Sequence, residues 1–289
     1  MERKADMERM RRLSADIRIE TIRALAHAGF GHIGGAMSIA DVLGVLYGGA
    51  MRIRPEEPAW ADRDYLVVSK GHAGPAVYAA LGLAGYFPKD WLSTINQPGT
   101  RLPSHCDRRK TPGIDMTTGS LGQGVSCAAG IALGIRMLKK SNIVYCIAGD
   151  GEIQEGQVWE AAAAAAQQGL ANLILFVDYN KKQLDGRVAD IADPIDIGEK
   201  FRAFGWNARQ VAGYDTEDIF SGISWAWEQK DKPTAIILDT YKGLGCSFAE
   251  EQEFNHYMNI NSEMAEAAVA EIERRYASGT FPRGDFLWQ

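Results

Sequence analysis

A chain of 289 residues that is 46% hydrophobic and 24% charged can bury a sizeable core, which excludes a peptide-sized module, a disordered tail and a fibrous repeat. Its 37 acidic and 31 basic side chains leave a formal charge of -6 and are mixed along the chain, so neither nucleic acid nor an anionic membrane is an expected partner. No window approaches the ~18 uninterrupted apolar residues of a membrane span, and the charged stretch Met1 to Arg12 lacks the apolar run of a signal peptide, so the expected location is cytoplasmic.

The first helix is expected over 13–28, where Leu13, Ile17, Leu25 and Ala28 recur near helical spacing and Gly29 with Gly31 supplies the stop. A second is expected to start at Ser38 as its N-cap and to run through Ile39, Val42, Leu43 and Leu46 to Gly48-Gly49, leaving a glycine-rich loop between the two. Four short aliphatic segments, 65–69, 143–148, 173–179 and 235–240, read as buried strands, with 207–211 a weaker fifth. Helical patterns over 74–85, 121–138, 154–168 and 216–229 separate them, and a last helix covers about 263–276. Strands alternating with helices predict an α/β fold with a central parallel sheet covered by helices on both faces. No linker or internal repeat divides the chain, so residues 1–289 are expected to form one domain.

Ligands of such sheets bind beyond the carboxyl ends of the strands, which directs attention to the loops that follow them. Ile143 to Gly151 is a strand emptying into Gly149-Asp150-Gly151, where glycine lets a backbone approach closely and free N–H groups can cradle an anion. The helix expected from Gln154 aims its positive end at the same place. A carboxylate beside a phosphate-binding turn is repulsive unless a cation lies between, so Asp150 suits a ligand of Mg2+ or Ca2+. Taken alone Gly-Asp-Gly is a common turn. Asn180 changes the weighting, because it follows the next strand and a βαβ unit of that length returns the chain beside its start. The four cysteines, Cys106, Cys127, Cys146 and Cys246, form no metal-binding spacing and read as reduced thiols, so any metal is expected on oxygen.

With Gly-Asp-Gly and an Asn about 30 residues later, the chain resembles thiamine-diphosphate enzymes, and more closely the N-terminal, diphosphate-binding part of transketolase. The resemblance runs from about Ile17 to His256 through Gly31-His32-Ile33-Gly34-Gly35, Ser69-Lys70-Gly71-His72, Thr117-Thr118-Gly119-Ser120-Leu121-Gly122-Gln123-Gly124, Gly149-Asp150-Gly151-Glu152-Ile153-Gln154-Glu155-Gly156 and Lys242-Gly243-Leu244-Gly245. It implies Asp150, Asn180 and the carbonyl of Lys182 as metal ligands, with His72, Gly151 and Glu152 at the cofactor. It also implies that Gly119 and Leu121 lie against the aminopyrimidine, that Leu184 lies near the thiazolium, and that His32, His105 and His256 line the sugar channel as hydrogen-bond donors and proton carriers, with pKa near ~6.5. Four of the five histidines fall on these positions, and His27, on a helix, is left as a structural residue. Two departures stand out: His256 sits in Phe254-Asn255-His256-Tyr257 where split relatives show Trp-His-Gly, and His105 precedes Cys106-Asp107 instead of Pro-Glu. Glu155 and Glu160, flanking the alanine-rich run Ala161 to Ala166, are expected at the border with a partner.

The resemblance also implies what the chain lacks, since the glutamate that activates the cofactor belongs to the family's second, pyrimidine-binding domain. The expected protein is therefore the N-terminal subunit of a two-chain transketolase that moves a two-carbon ketol unit from a ketose, or ketose phosphate, to an aldose. Its partner would be the C-terminal subunit carrying the catalytic Glu, in a heterotetramer with two of each chain. The alternatives are a subunit of another thiamine-diphosphate lyase, synthase or decarboxylase, or a catalytically silent interaction subunit.

Overall fold

The computed structural model describes residues 6–279; residues 1–5 of the charged N-terminal stretch and the tail from 280 to 289 lie outside the described residues. The strands in chain order are β1 (Phe30–Gly31), β2 (Tyr65–Val68), β3 (Val144–Gly149), β4 (Leu173–Tyr179), β5 (Lys182–Gln183), β6 (Gly186–Arg187), β7 (Asn207–Ala212), β8 (Thr234–Asp239) and β9 (Met258–Asn259). Five of them form one parallel sheet in the order β2-β3-β4-β8-β7, which contains all four expected strands and the weaker fifth.

Side chains alternate across a strand, and here both faces are apolar. Tyr145, Ile147, Ile174, Phe176, Ile236 and Leu238 pack under the helices Met7–Ala28, Gly74–Ala84 and Thr216–Glu228. The intervening residues Val144, Cys146, Ala148, Leu173, Leu175 and Val177 point the other way, against Gln123–Met137, Gly156–Gln167 and the Phe201 helix Ile197–Ala203. A continuous aliphatic strand is thus the sequence signature of a sheet between two helical layers. Helix ends follow local chemistry: the Asp6 carboxylate accepts the Arg9 N–H at 3.0 Å, and Gly29 ends the first helix at φ +84.

The region after the first helix differs from expectation. A helix already starts at Gly34 (Gly34–Met37), a second covers Ala40–Val45, and Leu46–Ala50 forms a π turn. Ser38 is not an N-cap; its hydroxyl donates to Asp178 Oδ2 at 2.8 Å, so a tertiary partner replaces the local one. The helix after Gly-Asp-Gly likewise begins at Gly156, behind a 3-10 turn over Glu152–Gln154.

Two small pairings shape the active region. β1 pairs antiparallel with β9, placing Gly31 opposite Met258, and β5 with β6 forms a hairpin immediately after Asn180. The Arg18 guanidinium, buried with Asp41 at 3.0 Å, also donates to the Leu244 carbonyl at 3.0 Å and so fixes the Lys242 loop to the first helix. Removing one member of such a pair strands the other charge in the core, at a cost of about 3–5 kcal/mol.

Candidate active site

The loops after β2, β3, β4 and β8 meet at the carboxyl edge of the sheet. β3 and β4 are in parallel register with Gly149 opposite Asp178, which sets Asp150 beside the Asn180 turn. Asp150 is 2% exposed, a buried residue rather than an open loop carboxylate. One of its oxygens accepts the Gly151 N–H at 2.8 Å and the other the Lys181 N–H at 2.6 Å, while no cation pairs with it among the described residues. Burial, with Asp178 nearby, pushes its carboxyl up to about 7.

Asn180 is oriented by its neighbours. Its Nδ2 donates to Asp178 Oδ2 at 2.7 Å, leaving Oδ1 toward the following turn, where it accepts the Lys182 N–H at 3.1 Å. Asp178 Oδ2 is also paired with the buried Lys70 ammonium, and its Oδ1 is a buried acceptor without a hydrogen-bond partner among the described residues. The carbonyls of Lys182 and Gln183 each accept from Lys242 Nζ at 3.1 Å, so this turn presents oxygens to positive charge. No group of three His, Cys, Asp or Glu suited to a metal exists among the described residues. The oxygen set of Asp150, Asn180 and the Lys182 carbonyl nevertheless fits a hard divalent cation, because the buried carboxylate forms no ion pair among the described residues and the other donors are neutral oxygens. Gly151 leaves room for Gln183, whose side chain would lie 3.0 Å from a Cβ added there.

The four loop histidines come together. His72 follows β2 in the turn Gly71–Ala73, and His32 follows β1. His32 lies 5.7 Å from His72, 5.4 Å from His105 and 5.3 Å from His256, and His72 lies 4.6 Å from His256, all between ring centroids. The β1–β9 ribbon, the Gly34 N–H donating to the Asn255 carbonyl at 3.1 Å and the Gly243 N–H donating to the Gly34 carbonyl at 3.0 Å hold the His32 and His256 loops and the Lys242 loop together. The Tyr78 hydroxyl, at 2.8 Å from the Pro103 carbonyl and 3.1 Å from that of His105, fixes the His105 loop. His27 stays apart, on the first helix.

Their protonation departs from the sequence reading. Burial with His105 and Lys242 nearby brings His32 down to about 4, and burial with Lys242 brings His256 to about 3. Burial also lowers His105, and His72 falls well below the ordinary value through burial and Lys70. All four rings are therefore neutral at pH 7, each offering one donor and one acceptor nitrogen. Lys242 Nζ sits 3.2 Å from His256 Nδ1 and joins the histidines to the Lys182 turn; burial beside Lys70 lowers it to about 8.

Glu152 is buried, and its oxygens accept from the Ser69 hydroxyl, the Gly122 N–H at 2.8 Å and the Gly149 N–H at 3.0 Å, which ties three loops together beside Asp150. Gly119, at φ +155, lies where an added Cβ would meet His105 at 3.3 Å, and a Cβ on Gly71 would meet the Thr118 carbonyl carbon and oxygen at 2.7 Å. Both glycines let the Thr118 turn approach the histidines. Leu121 and Leu184 are 38% and 60% exposed, and Glu155 and Glu160 are exposed as well. Lys70, Asp178, Ser38 and Lys242 are the parts that sequence reasoning did not assign. The first and last lie inside the family motifs, but the contacts span 108 residues for Lys70–Asp178 and 14 for Lys242–His256, and no local pattern records them.

Residues 9–282 match the family described as transketolase, thiamine diphosphate binding domain. A 6-deoxy-6-sulfo-D-fructose transketolase subunit of Clostridium sp. (strain MSTE9) is 50% identical over 261 residues, covering 90% of this chain and 95% of that one. An apulose-4-phosphate transketolase subunit of Actinobacillus succinogenes is 36% identical, covering 89% and 92%. Among solved structures, transketolase from Leishmania mexicana superimposes with a TM-score of 0.86 at 30% identity over 93% of this chain, which spans 41% of that structure's length. With its parallel sheet, its motifs and these relatives in agreement, the chain belongs to the transketolase family and corresponds to an N-terminal, thiamine diphosphate-binding subunit.

Proposed function

We propose that this chain is the diphosphate-binding half of a two-chain transketolase whose transfer chemistry requires a C-terminal partner bearing the pyrimidine-binding domain and the catalytic glutamate. The observation that carries this reading is the buried Asp150 carboxylate, which forms no ion pair among the described residues, beside the Asn180–Lys182 turn that Lys242 links to four neutral histidines. Bound thiamine diphosphate would supply the electron sink for moving a two-carbon ketol unit. Asp150, Asn180 and the Lys182 carbonyl would hold Mg2+, or Ca2+, and His72 and Gly151 would face the diphosphate. Gly119 and Leu121 would support the aminopyrimidine and Leu184 the thiazolium.

His32, His105 and His256 would hydrogen-bond the sugar hydroxyls. A neutral imidazole accepts a hydrogen bond from one hydroxyl at one nitrogen and donates from the other, so the cluster would orient substrate, and a proton taken at one nitrogen would be balanced by one given up at the other. The substrate class is an anionic ketose with an aldose acceptor. The named substrate of the Clostridium relative makes a sulfonated ketose the first donor to test beside a phosphorylated one. The relatives' names give no support to the lyase, synthase, decarboxylase or silent-subunit alternatives.

The chain would act as one domain, in the cytoplasm, in a heterotetramer of two copies of each subunit. No helix of the described residues is long and apolar enough to cross a membrane. The exposed Ala163, Ala164, Glu155 and Glu160 around the helix Gly156–Gln167 are the surface we assign to the partner. Calorimetry of thiamine diphosphate with Mg2+ on this chain with its partner tests the reading: binding lost in the Asp150→Asn variant supports it, and unchanged affinity contradicts it.

A further inference from the structure

The basic side chains look evenly mixed along the sequence, yet the fold gathers five of them at one place. A cavity of about 430 Å³ beside the start of β2 is lined by Arg63, Arg101, Arg108, Arg109 and Lys110, with Asp115 as the lone carboxylate among its described lining residues. Five cations facing one carboxylate, in a chain of net charge -6, concentrate positive potential that an anion would neutralise.

Two of the guanidinium groups are held in place: Arg63 lies 4.0 Å over the Tyr65 ring and pairs with Asp115, and Arg101 lies 4.9 Å over Trp91, while Arg109, 3.5 Å from Asp107, is largely exposed. The Thr111 hydroxyl, on a buried residue, donates to the Arg101 carbonyl and clips the two ends of the basic segment together. Arg108 and Lys110 are exposed and form no ion pair among the described residues. Fixed planar forks with two uncommitted cations suit a tetrahedral oxyanion, and the cavity has room for a sugar-sized ligand.

The pocket and the histidine cluster share one loop. Its base is closed by the Thr118 N–H donating to the Cys106 carbonyl at 3.1 Å, next to His105 and Gly119. Its far part carries the basic residues and lies along the edge strand, where Asp115 accepts the Leu66 N–H at 2.8 Å and the Thr118 hydroxyl donates to the Val68 carbonyl at 2.7 Å. Leu66 and Val68 are two residues apart, about 7 Å along a strand. We propose that this pocket is an oxyanion site that takes a single phosphate or sulfonate group, the chemistry shared by the anionic end of a ketose and by a free anion. The substrate version of this proposal rests on the transketolase reading; the pocket itself does not.

The test uses the full chain and inorganic phosphate. Phosphorus NMR line broadening is expected to be saturable and to fall at least tenfold in the Arg108→Gln, Lys110→Gln double variant, whose far-UV circular dichroism stays that of the wild type. Phosphate held at the diphosphate end would be untouched by these substitutions, so broadening equal to wild type in the double variant overturns the proposal, as does the absence of saturable broadening in the wild type. Methanesulfonate competing with phosphate supports the shared chemistry. In the assembled two-chain enzyme, a KM for an anionic ketose that rises about tenfold while the uncharged donor erythrulose is unaffected identifies the substrate's own anionic end. Phosphate binding lost with both KM values unchanged identifies a free anion as the ligand instead. The phosphate result on the isolated chain is independent of whether that chain turns over.

Discussion

The ends of β3 and β4 each carry a buried aspartate, in neighbouring strands of the same sheet, and the two are treated in opposite ways. Asp178 is surrounded by protein donors: the Lys70 ammonium, the Ser38 hydroxyl and the Asn180 amide all reach its Oδ2. Asp150 has two backbone N–H groups and no ion pair among the described residues, and burial drives its carboxyl up to about 7. One carboxylate belongs to the architecture and orients Asn180. On the proposed reading the other would be met by a cation from outside the chain, since a buried charge without an ion-pair partner is costly and persists where binding compensates it.

Substitutions at the two positions should therefore separate binding from folding. Asp150→Asn keeps an acceptor for one N–H and removes the charge, so its largest effect is expected on the cofactor: affinity for thiamine diphosphate with Mg2+ falls about a thousandfold, roughly 4 kcal/mol. Thermal unfolding of the free chain at pH 7 is expected at or above the wild-type temperature, since the variant has no buried charge to ionise. Asp178→Ala does the reverse to stability, because Lys70 is left buried and unpaired; urea unfolding should show a loss of about 3–5 kcal/mol. Equal destabilisation by both variants would remove the distinction.

Next in size, His32→Ala or His105→Ala should lower kcat about a hundredfold with little change in cofactor affinity, since neither side chain is bonded to the Asp150–Asn180 turn. A matching loss of cofactor affinity in calorimetry would move these histidines to the diphosphate end.

A pH slope sharpens the comparison further. The folded value of Asp150, about 7, lies above its ordinary 3.8, so between these pH values the folded chain keeps a proton that the unfolded chain has released. Stability of the metal-free chain should then fall as pH rises through that window, by up to about 1.4 kcal/mol per unit, and level off above it. Asp150→Asn should remove this component, and Mg2+ affinity should rise with pH over the same range as the competing proton leaves. Urea midpoints at pH 5 and pH 7.5 check the sign.

Much of the fold was legible because the aliphatic runs of β3, β4 and β8 have few other homes than a sheet covered on both sides. The local chemistry of Gly149-Asp150-Gly151 and Asn180 was equally visible, since both lie in turns that directly follow strands. The two-residue strands β1 and β9 were not, because Phe30–Gly31 and Met258–Asn259 are too short to carry a period and their pairing joins distant parts of the chain. Ser38 misled for the same reason. A serine before an aliphatic run reads as a helix cap, while its bond to Asp178 crosses 140 residues. The histidine pKa values were also beyond the sequence, as they depend on four rings and Lys242 sharing one buried space.

If this chain holds half of an active site, neither it nor its pyrimidine-domain partner can turn over alone. A glycolaldehyde-transfer assay with thiamine diphosphate and Mg2+, run on each purified chain and on their mixture, tests that division most directly. No transfer from either chain alone and transfer from the mixture is the predicted result; full transfer by this chain alone would place the catalytic acid within its 289 residues and contradict the division.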